Sequence, residues 1–139
     1  RTGVVPHPRA YFEAIWNDFL AADLCRVFFA QKDGRAVSAE NYGIFKNAAL
    51  YWTGATSDEG LSLNAPSLVM WEAMRWMIGR GLHWFEAGEA FPGASGKLKG
   101  LNDFKKSFGG ELYPAYRGRL VTAGKIQRAA RAFKDLLRD

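Results

Sequence analysis

The residues best suited to chemistry in this sequence lie in one short stretch of its basic half. Phe104 and Phe108 are four positions apart, so on a helix they would share a face and anchor it. Lys105 and Lys106 lie between them, and a lysine on an anchored helix is a fixed positive charge suited to a phosphate or a developing oxyanion. The other interpretation is an ordinary amphipathic helix with solvated lysines, and the residues alone favour it.

Several kinds of catalytic or metal site are missing from the sequence. His7 and His83 are isolated, and no Cys/His cluster has the spacing of metal ligands. No nucleophile-elbow or phosphate-loop motif occurs. Cys25 lies in an apolar run and is expected in the core rather than at a reaction centre. These absences favour direct transfer between two bound substrates, assisted by positioning and charge, with no metal and no tightly bound cofactor.

Other polar residues are candidates for contact with substrate. Glu86 falls at the end of a predicted strand, where ligands bind in open α/β sheets, and is a candidate general base. Lys97 and Lys99 lie in a glycine-rich stretch that would be either a mobile segment over a carrier-linked substrate or a plain surface loop. Asn64 is predicted to cap a helix whose N-terminus is available to an anion, and Tyr113 follows a Gly-Gly turn.

Charge is unevenly distributed along the 139 residues. The segment from residue 95 to residue 139 carries eleven Lys and Arg against four Asp and Glu, a net of +7, whereas residues 1–94 carry a net of −2. The basic half indicates an anionic small-molecule or carrier-linked substrate, a tRNA or a peripheral membrane contact, or else a solvated face. One cysteine and no apolar run near 20 residues favour a cytoplasmic location, with the inner membrane face as an alternative.

Hydrophobic spacing predicts the elements that position these residues. Asp33-Gly34 predicts a tight hairpin, and Gly81 is expected just beyond the end of a helix. The order predicts an α/β (α+β) fold: an antiparallel meander followed by a βαβ unit, forming a mixed sheet with helices on both faces. Helices are predicted over residues 8–22, 64–80, 101–108 and 123–137, strands over 25–31, 36–45, 48–55, 82–87 and 112–120, and loops over 57–63 and 88–100.

The stretch FKKSFG at residues 104–109 resembles a signature near the C-terminus of Fem-type aminoacyl (peptidyl) transferases, which have GNAT-like acyltransferase domains. Upstream residues are similar in order and rough spacing: YWTGA at 51–55, NAP at 64–66, WEA at 71–73 with RW at 75–76, Gly81, and FE at 85–86 with Gly88. The resemblance extends from about residue 30 to residue 118. It implies that residues 1–139 are a single GNAT-like domain, which is expected to come from a longer chain.

The resemblance implies transfer of an acyl or aminoacyl group to an amine, with aminoacyl-tRNA as donor and a peptidoglycan or cell-envelope precursor as acceptor. Lys105 would stabilise the charged donor or the reaction centre, and Phe104 would shape that pocket. One departure concerns CoA: residues 57–66 contain one glycine, two acids and a proline, unlike the glycine-rich loop that holds a pyrophosphate. The alternatives are an acetyl-CoA-dependent N-acetyltransferase and a non-catalytic module that binds tRNA or a nucleotide sugar.

Overall fold

Up to residue 106, helices and strands follow the order that the sequence predicts, with one additional short helix at residues 58–62. A computed structural model describes residues 6–116 and residue 118. Its regular elements are α1 (Arg9–Ala14), which continues as a π-helical segment (Ile15–Leu20), then β1 (Cys25–Lys32), β2 (Arg35–Phe45), β3 (Ala48–Thr56), α2 (Asp58–Ser62), α3 (Ala65–Gly79), β4 (Trp84–Glu86) and α4 (Gly96–Lys106).

The four strands of the described residues form one mixed sheet in the order β1-β2-β3-β4. β1, β2 and β3 are antiparallel, and β4 pairs with β3 in parallel after the crossover helix α3. Helices cover both faces. On one, Ala73 and Met77 of α3 pack against Tyr42 and Ala49 in the core; on the other, Phe19 of the π-helical segment contacts Trp52, with ring centroids 5.3 Å apart. The predicted α/β (α+β) mixed sheet is therefore confirmed.

Two turns have the geometry that their residues predict. Asp33 and Gly34 both adopt positive φ angles, 50° and 74°, as a tight hairpin between β1 and β2 requires. At the end of α3, Gly81 has a φ of 72° and donates to the carbonyl of Ile78, while Leu82 donates to the carbonyl of Met77. This hydrogen-bond pair is a Schellman motif, which satisfies carbonyls that the helix end would otherwise leave unpaired.

The predicted polar loop at residues 57–63 is wrong, because most of it forms α2. The Ser57 hydroxyl accepts a hydrogen bond from the Gly60 backbone N–H at 3.0 Å and so caps this short helix. Asp58 and Glu59 lie in its first turn, where their negative charges interact favourably with the positive end of the helix dipole. Asn64 then joins α2 to α3 in the left-handed conformation, with φ of 53° and no side-chain cap bond. It precedes α3 as predicted, but its side chain does not cap the helix.

Two further predictions near the C-terminal end need correction. Helix α4 begins at Gly96 rather than at residue 101, so the predicted loop is shorter by five residues. The predicted strand over residues 112–120 is not formed at residues 112–116 or 118. Gly109 and Gly110 both have positive φ angles, and Pro114 offers no backbone donor to a ladder, so this segment does not continue as a strand. The predicted helix at 123–137 lies outside the described residues.

The chain divides into two compact units, residues 1–109 and residues 110–139. All the helices and strands given above belong to the first unit. Within the described ranges, no helix combines the length and the apolar character needed to cross a bilayer.

Gly60 lies where a side chain would strike backbone. A Cβ on this buried residue would approach the Val37 carbonyl oxygen well inside 3.0 Å. We expect Gly60→Ala to lower the free energy of unfolding by roughly 1–3 kcal/mol, because either α2 or β2 must shift. Gly79→Ala, at a position with open space around it, should change stability by less than about 1 kcal/mol. Urea unfolding of both variants checks this, and equal stability of the two would refute the explanation.

Candidate functional site

The site begins where the parallel strands β3 and β4 separate. Their pairing covers three residue pairs and ends at Leu50 and Glu86. Beyond this point β3 continues to Thr56, whereas β4 stops. Among the described residues, no strand pairs with β3 from Tyr51 onward on that side. An opening between two parallel strands beside a crossover helix is a position where α/β folds bind ligands.

Lys105 of α4 lies at this opening. A Cβ built on Gly88 would lie 3.4 Å from the Lys105 Nζ and 3.8 Å from the Tyr51 carbonyl oxygen, so the ammonium group and the end of the β3–β4 pairing flank the same glycine. The Nζ donates a hydrogen bond to the Glu89 carbonyl at 2.7 Å. Burial lowers the pKa of Lys105, and the charge of Glu86 opposes that shift. The lysine is therefore held in place rather than directed into bulk solvent.

A second side chain of α4 fastens the same loop. The Asn102 amide donates to the Phe91 carbonyl at 2.8 Å and accepts from the Phe91 N–H at 3.1 Å. Asn102 and Lys105 are three residues apart and so share a face of α4. Together they hold the segment that follows β4. The sequence prediction missed Asn102, because the predicted helix began at residue 101 and the burial of this amide is visible only in the structure.

The remaining predicted residues of α4 have different environments. Phe104 lies edge-on to Phe108, with ring centroids 5.3 Å apart, so the two rings meet as their spacing predicts, although Phe108 lies just beyond the end of α4. Lys97, Lys99 and Lys106 are exposed. Lys99 forms an ion pair with Asp103 at 2.6 Å, one turn further along the helix. The helix thus holds the loop through Asn102 and Lys105 and presents its other lysines to solvent.

The other predicted site residues lie at separate places. Glu86 ends β4 at the opening and is exposed, close enough to Lys105 to influence its charge. Asn64 precedes α3 and is also exposed. Tyr113 belongs to the second unit, where its hydroxyl donates to the Glu111 carboxylate at 2.7 Å. Within unit 1, the structure brings Lys105 and Glu86 together.

The sequence prediction missed a buried polar cluster on β2 and β3. Glu40 is 3% exposed and accepts a hydrogen bond from the Tyr42 hydroxyl. The Tyr51 hydroxyl and Glu40 both border Gly54, where a Cβ would collide with the Tyr51 hydroxyl. Burial raises the pKa of Glu40 to about 7, and burial together with Glu40 raises that of Tyr51 to about 12. Period-2 alternation from the core residue Tyr42 was the available signal, because it turns Glu40 inward.

Most backbone N–H groups between β3 and α3 already have hydrogen-bond acceptors in the protein. The N–H donors that bond to nearby protein oxygens are those of residues 57, 60, 61, 63, 64, 67 and 68. Pro66 has no N–H, and the Glu59 carboxylate is held by Lys32 at 2.8 Å. An anion at this segment would meet few available donors and two acids. The sequence-based expectation that it makes a poor diphosphate cradle agrees with this geometry.

Comparisons with known proteins give a family and a fold. A family model described as an acetyltransferase (GNAT) domain matches residues 1–106. A search of curated protein sequences found no match. Among solved structures, AAC(6')-Iy in complex with a CoA-S-monomethyl-acetylneamine bisubstrate analog is similar, with a TM-score of 0.64, 18% identity and 82% of each chain covered.

Another similar structure is an aminoglycoside acetyltransferase, meta-AAC0020, from an uncultured soil metagenomic sample, in complex with trehalose. Its TM-score is 0.60 at 10% identity, with 89% of this chain and 80% of that chain covered. AAC(6')-Iy in complex with CoA has a TM-score of 0.57 at 17% identity, with 80% of this chain and 88% of that chain covered. At these identities the likeness establishes the fold and not the substrate.

Proposed function

Because the chain belongs to the GNAT acetyltransferase domain family, we propose that it is an N-acyltransferase that moves an acyl group from a thioester donor, acetyl-CoA first of all, to an amine. The observation that carries this proposal is the opening between β3 and β4 with Lys105 beside it. The edge of β3 from Tyr51 to Ala55 offers backbone groups to an extended chain that contains amides. The pantetheine arm of CoA has two amides and suits such strand-like pairing.

Lys105 and Glu86 have complementary roles in this reaction. The acceptor ammonium loses a proton to Glu86, and the neutral nitrogen attacks the thioester carbonyl. A C–N bond forms and the C–S bond breaks; the sulfur leaves as thiolate and takes up a proton, while the new amide nitrogen releases one. Lys105 stabilises the negative charge that develops on the carbonyl oxygen. Phe104, half-buried beside Lys105, would shape the pocket that holds the acyl group.

The exposed lysines of α4 are proposed to contact the anionic part of the donor. Lys97, Lys99 and Lys106 lie on the same helix as Lys105, and each is exposed to solvent. Lysine binds phosphate as a point charge and needs no fixed geometry to do so. They would supply the attraction that the β3–α3 segment lacks. Asn64 and Tyr113 stay proposed substrate contacts.

A Fem-type aminoacyl transfer is the second candidate, and the backbone between β3 and α3 favours it. That segment has most of its N–H groups bonded within the protein, so the diphosphate of CoA gains little from it. An aminoacyl-tRNA donor has no such diphosphate, and its phosphates would meet the lysines of α4. In this case a C–O ester bond breaks instead of the C–S bond. The acceptor would be the amine of a peptidoglycan precursor at the inner face of the membrane.

The donor can be identified by direct assay with three compounds. We expect both acetyl-CoA and acetyl-S-pantetheine to release thiol in the presence of amines, with the higher kcat/KM for acetyl-CoA because the exposed lysines of α4 attract its phosphates. Thiol release and mass spectrometry of the amide measure both rates. Amide formed only from aminoacyl-tRNA would select the second candidate. Binding of all three donors without turnover would instead indicate the non-catalytic module.

A further inference from the structure

An apolar groove crosses the sheet on the face opposite α3. It has a volume of about 410 Å³, within the range of pockets that hold small organic molecules. Its walls come from the π-helical segment and from the ends of β2, β3 and β4. We call it the aromatic groove, because its walls include four aromatic side chains: Phe19, Phe45, Trp52 and Trp84. All of its lining residues belong to the first compact unit.

The aromatic groove keeps large apolar side chains partly open to solvent. Trp84 is 54% exposed and Phe45 is 70% exposed, and they lie along one continuous surface rather than scattered singly. A continuous exposed apolar surface in a folded domain marks a ligand groove or an interaction site. The groove therefore suits a ligand with an aromatic or aliphatic body rather than a sugar.

One end of the aromatic groove coincides with the opening at the strands. Leu50 and Glu86 line the groove, and they are also the last residue pair of β3 and β4. Glu86 is the only ionisable residue among the groove's described lining residues. A molecule lying in the groove with its positively charged end at Glu86 would hold that end beside the opening where Lys105 lies.

From this arrangement we infer that the acceptor is a monoamine with an apolar, aromatic body, bound in the aromatic groove with its ammonium group at Glu86. The inference rests on the proposed N-acyl transfer and specifies its acceptor class. The aromatic rings match the body of such a molecule and can also attract a cation that lies above them. A single carboxylate suits one ammonium group. A polycationic aminoglycoside would leave its other charges against apolar walls, which is costly.

Binding can be measured without any donor, so the acceptor class is tested separately from transfer. The probe is 2-phenylethylamine added to the whole chain, with binding followed by calorimetry and by tryptophan fluorescence. Controls are 2-phenylethanol, which lacks the ammonium group, and neamine, which carries several. We expect 2-phenylethylamine to bind about tenfold more tightly than the alcohol, because its charge pairs with Glu86.

Three variants locate the site. Glu86→Gln should weaken binding of 2-phenylethylamine about tenfold and leave that of 2-phenylethanol unchanged. Trp84→Ala should weaken binding of both ligands, because it removes aromatic surface from the groove wall. Trp71→Ala removes an equally exposed tryptophan from α3, outside the groove, and should change neither. Trp84 is largely exposed, so its variant should fold, and an unchanged melting temperature checks this.

Several outcomes would overturn the inference. One is tighter binding of neamine than of 2-phenylethylamine. Another is an affinity for 2-phenylethylamine that neither Glu86→Gln nor Trp84→Ala changes. Absence of ligand binding, together with acrylamide quenching that Trp84→Ala does not reduce, would show that a second copy or another part of the chain covers the groove, and sedimentation separates those two. If the protein transfers acyl groups to other amines but does not bind 2-phenylethylamine, only the proposed acceptor class is wrong. If 2-phenylethylamine binds in the groove but no amine is acylated, only the proposed function is wrong.

Discussion

Replacing Lys105 with methionine should lower the turnover number of acyl transfer by about 100-fold, the loss typical of one donor removed from a charge-stabilising site. Methionine keeps most of the side-chain length and removes the charge. The donor's dissociation constant should change only a few-fold, because the proposed interaction strengthens as the oxyanion forms. Arg75→Ala removes one positive charge from an exposed ion pair on α3 and should leave the rate unchanged.

The difficulty with Lys105 is that it also fastens the loop after β4 through the Glu89 carbonyl. Asn102→Ala separates the two roles, because it releases the same loop at Phe91 and leaves the ammonium group in place. If charge is what matters, Asn102→Ala should cost far less turnover than Lys105→Met. Equal losses in the two variants would assign Lys105 to holding the loop and not to the reaction centre.

The pH profile gives Lys105 a second readout. Turnover should fall as the pH rises, because Lys105 loses its positive charge. Because burial lowers the pKa of Lys105, this fall should begin at a lower pH than it would for an exposed lysine. Lys105→Arg should move this descending limb upward, since a guanidinium stays protonated. A wild-type profile that remains flat through the lysine range would contradict an electrostatic role.

Short-range signals predicted much of the fold. The hairpin at Asp33-Gly34 and the Schellman motif at Gly81 depend on a glycine at a position of positive φ, and both are visible in a few residues of sequence. The mixed topology followed from the order of elements. The start of α4 was not predictable in this way, because Gly96 and Gly100 have low intrinsic helix preference and the bond from Asn102 to Phe91 is visible only in the structure.

The candidate site was predictable only in part for a similar reason. Lys105 and Phe104 stand in a recognisable motif, so their neighbourhood could be predicted before any coordinates. Glu40 and Tyr51 are eleven residues apart on different strands, and they meet because β2 and β3 pair with a register shift between Asn41 and Tyr42. A one-residue change in register reverses which face a strand residue occupies. Alternation from Tyr42 could indicate that Glu40 faces inward, but only the observed pairing brings Tyr51 to it.

The buried carboxyl makes the last and most direct prediction. In the unfolded chain a glutamate ionises near pH 4.5, whereas burial raises the pKa of Glu40 to about 7 in the folded protein. Between these values the folded state holds a proton that the unfolded state has lost. Stability due to this group is therefore fully present below pH 4.5 and is lost as the pH rises to about 7, by about 3 kcal/mol.

Glu40→Gln should abolish this dependence. Glutamine is nearly the same size, is neutral at every pH and can still accept the hydrogen bond from the Tyr42 hydroxyl. At pH 8 the variant should be more stable than the wild type by about 3 kcal/mol, whereas near pH 4.5 the two should agree within about 1 kcal/mol. Urea unfolding at both pH values measures the difference, in which the contributions of all other groups cancel.

A matched control comes from an exposed glutamate. Glu72 forms an ion pair with Arg75 on the surface of α3, so Glu72→Gln should change stability by less than about 1 kcal/mol at either pH. A Glu40→Gln variant whose stability relative to wild type is the same at pH 4.5 and pH 8 would mean that the carboxyl ionises normally in the folded protein. The strands around Gly54 would then have to admit water to Glu40, and the closed packing of Tyr42 and Tyr51 over that carboxyl would be wrong.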